Sequence, residues 1–346
     1  MGIINSVLPV IIMLLVGSLC RKKHIISEDG INGLQALVMN FTLPATVFGT
    51  FYKTSISAGE AVLPLTLFAV TAGGIFFGRL LGRLTGGIGT AARGSGSAEA
   101  SVIPETASRA VSASGSASAS ASSGINRRLP FFLTGYEAGM VGYALAAILS
   151  ETGDVATFAM IDVGHSIAIF TVYLVMLKSL NGEKQTAGEV VKGLVTTPVL
   201  MAILAGGILG FTGIGGKIGA TAAGGVIDTV CDFVGAPTGA AILAVIGYRM
   251  KFEGLDWGKT LKVCALRLVQ QLILGGAVLL IYRTLGGEFA SRTVMVSVAV
   301  MFILPPPFIL PLYSDDEESR EFYSSAISVY TLITVACFAV LSGIVK

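Results

Sequence analysis

Residues 299–313 read AVMFILPPPFILPLY, an apolar stretch with three consecutive prolines and a fourth proline four residues later. Proline lacks a backbone N–H and its ring clashes with the preceding turn, so no continuous helix passes through Pro305, Pro306 and Pro307. Interrupted backbone inside a lipid bilayer is stable only where protein or a water-filled cavity surrounds it. The stretch therefore predicts an all-α membrane protein with at least one interrupted span.

The composition of the whole chain agrees with that prediction. Hydrophobic residues make up 53% of the 346 residues and charged residues 13%, which is about half the usual charged share of a soluble domain. These values exclude an ordinary soluble enzyme. The net charge of +2 is not gathered on one face, so no nucleic-acid partner is expected.

A helix needs about 20 apolar residues to cross a bilayer, and windows of that length predict the spans. Ten such windows occur: 3–20, 31–52, 61–78, 129–150, 155–177, 193–216, 222–248, 263–282, 293–313 and 322–345. Most Lys and Arg residues fall in the loops after the odd-numbered windows, the pattern of cytoplasmic loops. We expect a multi-pass protein of the cell membrane with both termini on the non-cytoplasmic side.

The two halves of the chain resemble each other. PVIIMLLVGSL at 9–19 is similar to PVLMAILAGGI at 198–208, and NFTLPA at 40–45 is similar to DFVGAPT at 232–238. Because each half holds five windows, an odd number, the halves must cross the bilayer in opposite directions. The pattern predicts an inverted 5+5 repeat.

The predicted domain boundaries follow from this repeat. Spans one to three occupy 1–85, spans four and five occupy 125–180, and the second repeat occupies 181–346. Between the first two parts, residues 86–124 consist mostly of Gly, Ala and Ser and predict a flexible cytoplasmic linker.

Ionisable residues inside spans are costly and mark functional positions. Glu137 lies near the middle of the fourth span in GYEAGMVGYALA (135–146), a glycine-rich stretch that also contains Gly142 and predicts a second interrupted helix. Asp162 and His165 are three residues apart in the fifth span and share a helix face, where they form either a titratable pair or structural hydrogen bonds. Arg267, in the eighth span, either extends outward to water or pairs with a carboxylate such as Asp162.

Asp228 and Asp232 lie four residues apart in the seventh span, so their repulsion either recruits a cation or is relieved by solvent at the helix end. The candidate residues for substrate or coupling-ion binding are Asn40, Glu137, Gly142, Asp162, His165, Asp232, Arg267, Pro305, Pro307 and Pro311. No metal and no cofactor are expected beyond H⁺ or Na⁺ as a coupling ion.

Three stretches resemble the auxin efflux carrier family of membrane transporters, which includes bacterial carriers of organic acids. They are LPVIIMLLVGSLCRKKHIISEDGINGLQALVMNFTLPATVF (8–48), TTPVLMAILAGGILG (196–210) and LPPPFILP (304–311). The resemblance implies a fold like that of sodium/proton antiporters and bile-acid symporters. Spans one, two, six and seven would form a scaffold with a homodimer interface. The other spans would form a moving core, in which spans four and nine cross at the substrate site.

The sequence departs from the family at the fourth span. Glu137 stands where family members often carry an asparagine, and Tyr143 and Ala144 stand where a proline is expected. A carboxylate there repels an anionic substrate unless it is protonated or a cation is bound. The first hypothesis is therefore a proton- or sodium-coupled carrier of a small organic acid, working by alternating access. A cation/proton antiporter on the same fold is the alternative, and a membrane sensor or enzyme a distant third.

Overall fold

The protein is described by a computed structural model that covers residues 2–53, 58–86, 124–150, 155–183, 186–252, 255–314 and 316–345. Within these ranges the regular structure is helical throughout and contains no strand. The predicted linker at 86–124 lies outside the described residues, apart from its first and last positions.

Thirteen α-helices follow one another in the described ranges, together with short 3₁₀ helices at Ala58–Ala61, Gly287–Ala290 and Leu310–Tyr313. In chain order they are α1 (Gly2–Lys22), α2 (Glu28–Phe51), α3 (Val62–Leu84), α4 (Gly124–Leu133), α5 (Ala138–Leu149), α6 (Ala156–Leu180), α7 (Ala187–Thr196), α8 (Pro198–Phe211), α9 (Ile214–Gly219), α10 (Ala222–Arg249), α11 (Trp257–Leu285), α12 (Arg292–Ile303) and α13 (Glu317–Val345).

Six of the described helices are long and apolar enough to cross a membrane, namely α2, α3, α6, α10, α11 and α13. The number rises to eight if the bent pairs α4–α5 and α7–α8 each count as one span. Large apolar side chains point outward on these helices; Phe233 on α10, for example, is 83% exposed. Such side chains are suited to contact with lipid tails. The protein is thus a multi-pass, all-α membrane protein. The ten-span count and the inverted repeat stay predictions.

Several window boundaries differ from the helices. The sixth window, 193–216, is not a single helix. It contains the end of α7, because Pro198 cannot continue that helix. It also contains the end of α8, which stops before Gly213. Gly213 has a φ of 69°, in the left-handed region where glycine is favoured. In α2 the chain passes Pro44 without a break, because a π-helical turn at Val38–Thr42 precedes it.

The fourth and ninth windows both contain interrupted helices. In the fourth, α4 ends at Leu133 and α5 begins at Ala138, with a bend of 41° between them. In the ninth, α12 ends at Ile303, Leu304 is extended, residues 305–307 have no regular structure, and a short 3₁₀ helix follows at Leu310–Tyr313. We refer to residues 134–137 as the fourth-span break and to residues 304–309 as the ninth-span break.

Helix contacts fall mainly into two groups. Helices α1 and α10 pack together, and α2 packs against α8 and α10; α6 packs against α3 and α12, and α11 against α3, α12 and α13. Contacts between α1 and α13 join the groups. Both breaks lie beside α6 and α11, which supply the side chains described next.

Candidate functional site

Glu137 connects the two breaks directly. Its backbone N–H donates to the carbonyl of Pro305 over 2.9 Å, and its Oε2 accepts the N–H of Phe308 over 2.7 Å. Its own carbonyl accepts the N–H groups of Val141 and Gly142, each over 3.1 Å, at the start of α5. Glu137 thus uses backbone and side chain together to hold the ninth-span break against the fourth.

Two glycines allow the close approach of these segments. Gly135 has a φ of 76°, and a Cβ there would lie 2.8 Å from Cγ of Pro307. A Cβ on Gly142 would lie 2.5 Å from Cζ of Phe158 and 2.9 Å from Cδ1 of Leu304. Side chains at either position would therefore push the two breaks apart.

Arg267, fully buried on α11, donates hydrogen bonds to both breaks. Its Nη1 donates to the carbonyl of Phe132 over 2.6 Å, and its Nη2 to the carbonyls of Gly135 and Leu304 over 2.7 and 3.0 Å. Because α4 and α12 end here, their last carbonyls have no partners within their own helices and carry the negative ends of the helix dipoles. The guanidinium therefore stabilises two helix ends at once.

Neither sequence-based expectation for Arg267 fits this arrangement. Its side chain does not extend to water, and its hydrogen bonds go to carbonyls rather than to Asp162. The guanidinium also lies over the rings of Tyr330 and Tyr136, with its central carbon 5.0 and 5.8 Å from the ring centres. Among the described residues no carboxylate lies within 4.0 Å of Arg267, so these cation–π contacts stabilise its buried charge.

Two neighbouring glutamines on α11 donate hydrogen bonds to the last carbonyl of α4. Gln271 donates to the carbonyl of Leu133 over 2.7 Å and accepts the hydroxyl of Tyr136 over 2.9 Å. Gln270 donates to the same carbonyl over 3.2 Å and lies 3.3 Å from Oγ1 of Thr134. Both glutamines are buried, so their amide groups satisfy backbone that water does not reach.

Asp162 and His165, on α6, form the shared-face pair that their spacing predicts. His165 Nδ1 lies 2.9 Å from Oδ1 of Asp162, and Oδ2 accepts the hydroxyl of Tyr143 over 3.1 Å. The other ring nitrogen, Nε2, accepts the N–H of Tyr136 over 3.1 Å. Because Nε2 accepts, the hydrogen-bond network assigns the proton of a neutral ring to Nδ1, which donates to Asp162. The pair thereby links α6 to the fourth-span break.

The prolines of the ninth window take separate positions. The carbonyl of Pro305 accepts from Glu137, and Pro307 lies against Gly135. Pro311 is the second residue of the 3₁₀ helix and lines a cavity of about 290 Å³ on the side of the bundle predicted to be cytoplasmic.

Asn40 and Asp232 lie away from this cluster. The amide of Asn40 donates to the carbonyl of Ala36 in its own helix, and Asp232 is exposed on α10. Asp228, the neighbour of Asp232, binds Lys53 over 2.9 Å instead of facing a second carboxylate. The structure therefore brings neither Asn40 nor Asp232 to Glu137.

Sequence analysis missed Gln270 and Gln271, and also two tyrosines: Tyr136, which bonds Gln271, and Tyr143, which bonds Asp162. The available signal was a pair of adjacent amides in an otherwise apolar span, since polar groups in spans usually bind another helix. The hydroxyls of Tyr136 and Tyr143 gave no comparable signal, because tyrosine is common in membrane helices.

One comparison with known proteins gave a match, and it lies in the part of the chain before this arrangement. A family model described as "membrane transport protein" matches residues 2–87, which hold α1, α2 and α3. It confirms the resemblance to the auxin efflux carrier type of transporter over that part of the chain. No curated protein matches the chain. The match and the apolar helices together support a role in membrane transport.

Proposed function

We propose that this membrane protein is a secondary transporter that moves a small organic acid by alternating access, coupled to protons. The observation that carries the proposal is the first turn of α5. The N–H groups of Ala138 and Gly139 have no acceptor among the described residues, and Ala138 is 1% exposed. Buried N–H groups at a helix start attract a negatively charged group such as a carboxylate.

The position of Glu137 supports proton coupling. Its carboxyl group lies at the same helix start and competes with an incoming carboxylate, because like charges repel strongly where water is excluded. Protonation of Oε1 removes that repulsion, and Oε2 can still accept the N–H of Phe308. Substrate binding would therefore be accompanied by proton uptake at Glu137.

The pair on α6 gives a second point of coupling. A proton added to Nε2 of His165 would replace the acceptor of the Tyr136 N–H with a donor, so that hydrogen bond would break. The groups facing His165 are Asp162 on its own helix and Tyr136 from the fourth-span break. We expect protonation of this pair to release the break from α6.

The test is transport by the purified protein in proteoliposomes. Transient currents would be recorded while mono- and dicarboxylates are applied at two pH values. We expect currents to at least one acid, with a pH dependence that disappears in Glu137→Gln. The control is Glu318→Gln, which removes an exposed carboxylate at the start of α13. Unchanged pH dependence in Glu137→Gln would remove Glu137 from the coupling mechanism.

A cation/proton antiporter is the second candidate. Among the described residues neither Glu137 nor Asp162 has a lysine or arginine within 4.0 Å, and the partner of Asp162 is His165. A carboxylate inside a membrane span without a permanent cation beside it binds protons or cations. Currents that appear on sodium or pH jumps alone, with silence to every acid, would favour the antiporter over the organic-acid carrier.

The resemblance also leads us to propose a homodimer through spans one, two, six and seven. Large apolar side chains are exposed on the corresponding helices, including Phe211 on α8 and Val226 on α10. Crosslinking of cysteines placed at these two positions, in membranes, tests whether copies of the chain meet there.

A further inference from the structure

Helix α7 does not continue the direction of the apolar helix that follows it. It meets α8 at an angle of 76°, because Pro198 begins α8 and cannot extend α7. The ten residues of α7 measure about 15 Å along their own axis but add only about 4 Å along the axis of α8. Where α8 crosses the bilayer, α7 therefore lies close to the plane of the membrane surface.

The exposed side chains of α7 are sorted around its axis by polarity. Val191 and Val195 lie one turn apart on the same face, and they are 56% and 50% exposed. Lys192 and Thr196 are exposed on a second face, about 100° around the axis from the valines. Helix α7 is therefore amphipathic, with an uncovered apolar face beside a polar one.

The protein packs against a third face of this helix. A Cβ at Gly193 would lie 3.5 Å from Cδ1 of Phe170 on α6. At 100° per residue, Gly193 points in the direction opposite to the mean direction of Val191 and Val195. The contact with α6 thus fixes the rotation of α7 and directs the two valines away from the bundle.

The start of α7 is held by its own residues. The N–H of Thr186 donates to Oε2 of Glu189 over 2.8 Å, and the N–H of Glu189 donates to Oγ1 of Thr186 over 3.3 Å. This reciprocal pair is a capping box, which stabilises a helix start without a partner helix. Because Glu189 and Lys192 carry opposite charges, apolar contact rather than charge has to supply the affinity of α7 for another surface.

We infer that α7 is an interfacial helix, with Val191 and Val195 among the lipid acyl chains and Lys192 and Thr196 directed to headgroups and water. The length of α8 identifies lipid as the occupant. Its 14 residues cover about 21 Å, less than the ~30 Å of hydrocarbon in a bilayer, so the hydrocarbon edge is drawn toward the start of α8 and the adjoining α7. An apolar helix face at that depth is covered by acyl chains. This inference goes beyond the proposed transport function and does not depend on the substrate.

The test uses tryptophan fluorescence, because Trp257 is the only tryptophan in the chain. In a Trp257→Phe background, Val195→Trp is compared with Thr196→Trp, an exposed neighbour on the polar face. The full-length proteins are reconstituted singly into nanodiscs that contain phosphatidylcholine brominated on its acyl chains. We expect quenching by the bromines to be about twofold or more stronger at 195 than at 196, with blue-shifted emission at 195. Quenching by acrylamide in the water should show the reverse order.

Val191→Trp and Lys192→Trp repeat the comparison one turn earlier, so a single variant that fails to fold does not decide the result. Folding of each variant is checked by its elution as a single species in size-exclusion chromatography. Equal quenching within both pairs would overturn the inference, because neither face would then be directed to lipid. Protection of the tryptophans at 191 and 195 from both quenchers would also overturn it and would assign the valine face to a protein contact. Stronger acrylamide quenching at 191 and 195 would place that face in water.

Discussion

The fourth-span break and the ninth-span break meet at Glu137, but they satisfy their backbone polar groups in different ways. The ninth-span break contains three prolines, which have no N–H to satisfy, and the carbonyl of Ile303, at the end of α12 before it, accepts the hydroxyl of Thr334 over 2.7 Å. The fourth-span break contains no proline, and the carbonyl of Gly135 and those of Phe132 and Leu133 just before it all bind side chains of α11. In the ninth-span break α11 binds the carbonyl of Leu304 alone among the described residues.

This difference shows two origins of an interrupted helix. In the ninth span the covalent structure of proline prevents the helix whatever surrounds it. In the fourth span nothing in residues 134–137 forbids a helix outright, so partners more than 100 residues away must compensate the lost helical bonds. We therefore expect the fourth-span break to be the more sensitive of the two to substitutions elsewhere.

The largest effect is expected for Arg267→Leu, which removes donors from both breaks. Hydrogen bonds between membrane helices contribute about 0.6–1.7 kcal/mol each, so the loss of the bonds of Arg267 should lower the free energy of unfolding by about 2–5 kcal/mol. Unfolding by SDS in mixed micelles measures this loss. Arg267→Lys, which keeps the charge but not the planar fork, should be intermediate. A leucine variant as stable as the unmodified protein would contradict the role given to Arg267.

The next effect is expected for Gly135→Ala, which acts on the contact between the breaks. Left-handed backbone at a residue with a Cβ raises the free energy of the folded state by about 1–2 kcal/mol, and crowding against Pro307 raises it further. We expect a loss of about 2–3 kcal/mol in the same unfolding measurement. The control is Gly225→Ala on α10, where a Cβ meets nothing within 4 Å and φ is helical. If both variants unfold alike, the breaks do not need this close approach.

A smaller effect, confined to one break, is expected for Gln271→Leu. It removes the donor to Leu133 and the acceptor of the Tyr136 hydroxyl, at a cost of about 1–2 kcal/mol. Hydrogen exchange read by mass spectrometry should show faster exchange at 134–142 and unchanged exchange at 304–312. Leu272→Ala, at an exposed position beside it, is the control. Equal acceleration in both segments would show that the two breaks are not independently supported.

The smallest effect is expected for Pro306→Ala in the ninth-span break. Pro305 and Pro307 remain on either side and still prevent a helix, so the break should persist at a cost of about 1 kcal/mol or less. Exchange at 308–312 and SDS unfolding give the measurement. A large loss of stability would mean that each proline has its own role, and the contrast between the breaks would then fail.

Much of the fold could be predicted from the sequence. Each apolar window contains a helix, and the prolines at 305–307 and the glycines around Glu137 lie where one described helix ends and the next has not begun. Asp162 and His165 do share a helix face, as their spacing requires. The role of Arg267 was not predictable, because its partners are main-chain carbonyls, which have no signature in the sequence.

The sequence by itself determined that the chain crosses a membrane as helices and that the ninth span is interrupted, because hydrophobic length and proline geometry are local properties. Only the tertiary structure decided which groups satisfy the fourth-span break. Packing sets Arg267, Gln271 and His165 around it, and such contacts depend on where whole helices lie. The same reason applies to the cavity that Pro311 lines, whose lining comes from separate helices that only the folded chain brings together.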